Sequence, residues 1–141
     1  LSGSQVPPDV AGTNAYQCAG AASQTIPVLI FHGTADTIVV PENANDTVEQ
    51  FAQTNDYADD DTDNDSVIAQ PTHTETAQVE GGYSYTVEDY EYNGELLLQR
   101  YIVDGMWHMW SGGTGILPLS DPKAPNASQI MWDFFSTYSL P

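Results

Sequence analysis

The chain has 141 residues, with 2 Lys+Arg against 20 Asp+Glu and a formal net charge of −18. With only Arg100 and Lys123 to neutralise phosphates, a footprint on nucleic acid or an anionic membrane surface is excluded. The length supports one compact domain or a piece of a larger one, not the roughly 200–250 residues of the large α/β barrels and sandwiches.

A hydrophobic content of 40% supplies enough apolar material for a core, which argues against disorder of the whole chain. At −18, self-repulsion opposes compaction in dilute buffer, whereas molar salt shortens the screening length to about 3 Å. The composition therefore points to a high-salt habitat, with an ordinary acidic secreted protein as the competing explanation. The single cysteine, Cys18, permits no internal disulfide and no multi-cysteine metal site, and is expected to be a small buried residue. No stretch approaches the roughly 18–20 consecutive apolar residues of a membrane span. The chain opens on Leu1 without a Met, which leads us to expect a processed product or an excerpt of a longer reading frame.

Residues 1–25 are rich in Gly, Ala, Ser and Pro without a sustained period, so an irregular segment with at most a helical turn is expected. Residues 26–31 (IPVLIF) form a short apolar run with β-branched members, the pattern of a strand in a parallel sheet. It stops at His32-Gly33. Pro41 and Glu42, followed by Val48, Phe51 and Ala52 at helical spacing, predict a helix over 42–54 with acids near its positive end. Residues 55–73 read as an acidic surface loop, because NDYADDDTDND offers nothing to bury. Asp59, Asp61, Asp63 and Asp65 alternate as calcium-loop ligands do, but the sixth and twelfth positions hold Asn64 and Gln70 where Gly and Glu are needed. The stretch is thus read as a salt-adapted loop.

Strand signals follow at 74–79, 83–92 and 95–103. Asn93-Gly94 between the last two is a strong hairpin signal, since both residues tolerate the positive φ of a type I′ turn. Residues 105–125 read as a Gly/Pro-punctuated loop. Asn126 is expected to cap a final helix over 127–138, with Ile130, Met131, Phe134, Phe135 and Tyr138 as its apolar stripe and Trp132 packed in the core.

Chemistry concentrates in two loops that follow strands, HGTADTIVVP at 32–41 and DGMWHMWSGG at 104–113. In open parallel sheets, sites gather beyond the carboxyl ends of the strands, where Asp36 and His108 can meet. Taken singly, Asp36 is also explained as a turn residue accepting backbone N–H bonds, and His108 as an ordinary loop histidine. His32, at a strand end, is read as a packing residue and His73 as exposed.

The HGTAD turn with its following VVP and helix, the strand leading to GMWHMWSGG, and the closing helix NASQIMWDFF resemble the carboxyl-terminal part of an α/β-hydrolase-fold esterase. The polyhydroxybutyrate depolymerase and feruloyl esterase family is the most similar group. The resemblance covers residues 26–56 and 84–138, with the acidic stretch between them as an insertion. It implies an α/β fold: a partial α/β-hydrolase-like sheet of about three to four strands, including a hairpin, with two main helices. It further implies that Asp36 is the triad acid and His108 the general base of a carboxylic ester hydrolase that uses no cofactor and no metal. By the same resemblance, the parent is a secreted enzyme.

Two departures stand out. No G-x-S-x-G occurs in the chain, and in this fold the nucleophile precedes the acid. Ser84, in GYSYT, lacks the second Gly and sits in an alternating strand; Ser111 lies near His108 but in no strand-to-helix turn. Trp107 replaces the small Gly that relatives place before the histidine, which can narrow the pocket. The expected function is therefore the carboxyl-terminal fragment of a serine esterase, inactive on its own and acting on an ester only with an amino-terminal portion. The alternatives are a non-catalytic binding or self-assembling module on the same scaffold, and a small acidic domain whose resemblance is accidental. In the resembled fold the strand at 26–31 pairs on both sides. Here one side lacks its neighbour, so a homo-oligomer through the exposed sheet edge is expected.

Overall fold

A computed structural model describes residues 3–20, 24–116 and 118–138. The elements are α1 (Pro8–Ala19), β1 (Val28–Gly33), α2 (Glu42–Asp60), β2 (His73–Gln78), β3 (Ser84–Tyr92), β4 (Glu95–Val103), β5 (Trp110–Ser111), β6 (Ser120–Asp121) and α3 (Ala127–Phe135). The main sheet is mixed, in the order β1-β4-β3-β2, so the fold is α/β. β1 runs parallel to β4, with Val28 opposite Leu98 and Gly33 opposite Val103. The β3–β4 hairpin turns on Asn93 and Gly94, whose φ values of 53° and 80° match the expected turn. One irregularity interrupts it: Tyr90 pairs with Leu98 and Glu91 with Leu96, leaving Leu97 without an opposite residue. That bulge lets the adjacent Leu97 and Leu98 both enter the core.

Strand alternation divides the sheet into two faces. Val28 and Ile30 join Leu98 and Tyr90 under Val48, Phe51 and Ala52 of α2. On the other face Phe31 stacks on Tyr101 at 4.7 Å between ring centroids, and Tyr101 on Tyr85 at 6.0 Å. There, Ile130 and Phe134 of α3, with Tyr138 just beyond its end, line a groove with Leu96, Gln99 and Tyr101. A second small cluster of Val103, Met106 and Ala124 closes the carboxyl end of β4.

Several expectations are corrected. Residues 1–25 are not irregular throughout, because α1 forms within them, so the described residues form three helices where two main ones were expected. Pro8 starts α1 with Asp9 in its first turn, and Gly12 packs its backbone against Gln50 and Gln53 of α2. α2 runs to Asp60, six residues beyond the predicted end, and stops where Asp61 adopts a left-handed φ of 65°. The stretch 55–73 is thus helical over its first six residues and begins β2 at its last. Asn55 and Asp56 are buried at 0% and 2% exposure, against the expectation that this segment buries nothing. The loop at 105–125 contains the short parallel pair β5–β6. α3 ends at Phe135, and its Trp132 is 73% exposed where core packing was expected. Cys18 is exposed where burial was expected.

Arg100, one of the two cations, is spent inside the sheet: its Nε and Nη2 donate to Glu88 Oε2 at 2.8 and 2.5 Å, and its Nη1 to Asn45. No helix among the described residues is long and apolar enough to cross a membrane.

Candidate active site

β1 and β4 are adjacent and parallel, so the loops that follow them leave the sheet at the same end. This is how residues 72 positions apart in sequence reach each other. Thr34 N–H donates to Val103 O at 2.9 Å, and Ala35 N–H to Met106 O at 3.1 Å, tying the two loops backbone to backbone. The tie requires glycine at position 33. A Cβ there would lie 2.0 Å from Met106 O, a clash with backbone that no rotamer relieves. Thr34 Oγ1 adds a second link, accepting from Gly105 N at 2.8 Å.

On this frame Asp36 and His108 meet. His108 Nδ1–H donates to Asp36 Oδ2 at 2.8 Å, while Asp36 Oδ1 accepts the backbone N–H groups of Ile38 and Val39, both at 2.9 Å. Asp36 is 7% exposed; the His108 ring is 46% exposed. Burial alone would raise the Asp36 pKa, but the His108 N–H and the backbone N–H groups of Val39 and Ile38 outweigh it and hold the carboxyl below its usual 3.8. The carboxylate is therefore ionised at neutral pH. Because an ionised carboxylate only accepts, it fixes the proton of neutral His108 on Nδ1 and leaves the Nε2 lone pair available. Nε2 has no hydrogen-bond partner among the described residues.

His32 supports the acid from the other side. Its Nε2–H donates to Val39 O at 2.8 Å and lies 3.8 Å from Asp36 Oδ2, closing the turn whose N–H groups hold the carboxylate. The packing role expected of His32 is thus joined to the acid itself. Trp107 Nε1–H donates to Thr37 Oγ1 at 3.3 Å, a further bridge between the two loops. The sequence signals missed this bridge, since nothing in the order of residues sets a tryptophan against a threonine 70 positions away.

An open cleft of about 350 Å³ runs past the pair, with Met106, Trp107, Met109, Trp110 and Leu119 among its apolar walls. A larger groove, about 520 Å³, lies between β4 and α3 but contains neither Asp36 nor His108. The two serines weighed as nucleophiles are not brought to the histidine. Ser111 is buried and its Oγ donates to Pro125 O at 2.7 Å, while Ser84 is exposed at the start of β3. His73 is exposed on β2. Among the described residues no cluster of three or more His, Cys, Asp or Glu side chains is placed to hold a metal ion. In the acidic stretch the carboxylates serve as local acceptors: Asp59 Oδ2 accepts from Ser66 Oγ at 2.8 Å and from Tyr92 OH.

No protein-family model matches the chain, and no curated protein matches it either.

Proposed function

We propose that this chain is the acid–base portion of a serine ester hydrolase of the α/β-hydrolase type, with Asp36 as the triad acid and His108 as the general base. The nucleophilic serine would be supplied from outside these 141 residues. One observation carries the reading: a buried carboxylate grips Nδ1 of a half-exposed histidine at 2.8 Å beside an open apolar cleft. That arrangement suits one task. Nε2 takes the proton of an attacking hydroxyl, Asp36 stabilises the imidazolium that forms, and Nε2 returns the proton to the leaving alkoxide. The walls formed by Trp107, Trp110 and Leu119 favour an ester with an apolar acyl or alcohol group. The net charge of −18 supports a high-salt setting for the reaction.

The test uses the reading frame that encodes this chain, assayed in molar salt with a short-chain p-nitrophenyl ester and a fluorophosphonate probe. The expected result is a labelled serine outside residues 1–141 and a loss of turnover of about 10³-fold or more in Asp36→Asn and His108→Gln. Turnover unchanged in His108→Gln, or a labelled serine within residues 1–141, rejects the proposal. A frame with no labelled serine and no turnover favours a binding module built on the same scaffold.

A further inference from the structure

Among the described residues the main sheet ends on one side at β1, which pairs with β4 alone. Thr34 N–H points toward β4, donating to Val103 O, so strand alternation turns the backbone groups of even-numbered residues to β4. Those of Leu29, Phe31 and Gly33 face outward, the first two from half-buried residues and the last from a buried one. Two features of this outer edge are unusual. Pro27 has no N–H to offer, and Gly33 O is already occupied, accepting from Asp36 N at 3.2 Å. In addition, residues 26–33 (IPVLIFHG) contain no Asp, Glu, Lys or Arg, in a chain whose net charge is −18.

We propose that β1 pairs antiparallel with β1 of a second copy, across a two-fold axis passing through Ile30, to join two sheets into one. In that register Leu29 lies opposite Phe31 of the partner subunit, and the two exchange both N–H···O bonds, as outward-facing residues of antiparallel neighbours do. Further out, the partner's Pro27 lies opposite Gly33, which is buried in the single chain. No bond is needed from Pro27 to the partner's Gly33: proline has no donor there, and the Gly33 carbonyl is held by Asp36. The edge is thus self-complementary at its centre, in the isologous manner a two-fold axis demands.

Charge selects the same occupant. Two copies at −18 repel wherever their carboxylates face, and the strip at 26–33 is a stretch of backbone edge from which carboxylates are missing. A cationic partner would find no counter-charge on it. Apolar surface flanks the strip: Ile26 is 41% exposed, and α3, which packs against β1, exposes Trp132 and Phe135. Because the rest of each surface is acidic, pairing strengthens as salt shortens the screening length from about 10 Å at 0.1 M to about 3 Å at 1 M. The inference concerns the 141-residue chain by itself and does not depend on catalysis by Asp36 and His108; in a whole hydrolase of the proposed kind, a strand of the amino-terminal portion takes the place of the second copy on this edge.

Sedimentation velocity on the 141-residue chain, at about 0.1 M and about 2 M NaCl, combined with amide hydrogen exchange, tests it. The expected result is a dimer at high salt, with the Leu29 and Phe31 amides exchanging at least about tenfold more slowly than in the dilute monomer. Leu29→Pro removes an outward N–H that β4 does not use. It should raise the dimer dissociation constant about tenfold or more, with an unchanged circular dichroism spectrum. A monomer at every salt and protein concentration overturns the proposal. So does a dimer in which those two amides exchange as in the monomer, a result that decides the matter even if Leu29→Pro fails to fold.

Discussion

The side chain of Asn55 holds the backbone of Ile26 from both ends, its Oδ1 accepting the N–H at 2.6 Å and its Nδ2 donating to the C=O at 3.1 Å. Asn55 is fully buried, so this pairing is how α2 grips the chain just before β1. A buried amide of this kind stabilises only while both of its bonds are made, and deleting it strands two backbone groups. We expect Asn55→Ala to destabilise the fold by about 2–4 kcal/mol, measured by urea unfolding in molar salt. A loss below about 0.5 kcal/mol, the usual range of surface substitutions, would show that water replaces the side chain.

Asp56, the next residue, organises the loop that follows α2. Its carboxylate accepts from the backbone N–H groups of Asn64, Ser66 and Val67 and from Ser66 Oγ. Burial would raise its pKa, but these donors, led by Val67 N–H, outweigh burial and hold it below the usual 3.8. A depressed folded-state pKa means stability that is fully present above the unfolded value and is lost as pH falls through the folded one. Asp56→Asn should therefore cost about 1–3 kcal/mol at neutral pH, and the gap to the native chain should close below about pH 4. Unfolding curves collected between pH 7 and pH 3 check both statements.

The Asp36–His108 contact makes a spectroscopic prediction. With an ionised carboxylate opposite, neutral His108 keeps its proton on Nδ1, and that proton should resonate far downfield. In Asp36→Asn the new amide can turn its N–H₂ toward the ring, moving the histidine proton to Nε2. Nitrogen-15 spectra of the imidazole distinguish the two tautomers directly. An unchanged tautomer in Asp36→Asn would mean that something other than the carboxylate sets it. The Asp36 carboxyl, also held below 3.8, follows the same sign as Asp56: its contribution is lost as pH falls through that lowered value.

Gly33 is the position where the frame of the site is tightest. Gly33→Ala drives a methyl into Met106 O, and the loop bearing His108 must retreat. We expect a loss of about 2–4 kcal/mol in stability, together with weakening of the downfield His108 signal. By contrast, nothing lies within 4 Å of a Cβ built at Gly94, where only the positive φ opposes alanine. Gly94→Ala should cost about 1 kcal/mol and leave that signal intact.

Local chemistry explains which parts of this architecture could be read in advance. The Asn93-Gly94 hairpin and β1 carry their causes within a few residues: two φ-tolerant turn residues, and an apolar β-branched run. The placement of Asp36 and His108 at one end of a parallel pair also followed from position after a strand. α1 did not, because its contact with α2 runs through the bare backbone of Gly12 and a stacked Tyr16–Tyr57 pair at 5.1 Å, which leave no apolar period to detect. The end of α2 was missed for the opposite reason. Asn55 and Asp56 read as solvated, yet their polar atoms are met by backbone groups of Ile26 and of residues 64–67, contacts that exist only once the chain has folded. Trp132 shows that an apolar residue inside an apolar helix need not face the core.

The two edges of the main sheet differ in kind. β1 at one side is uncharged and half-buried, while every residue of β2 at the other is exposed, Glu75 and His73 among them, and Glu80 follows it. A sheet with two adhesive edges grows without limit, strand upon strand, into a fibre. With one edge open to pairing and the other guarded by charge and hydration, any association through the sheet would close after a single step and the assembly would stay finite.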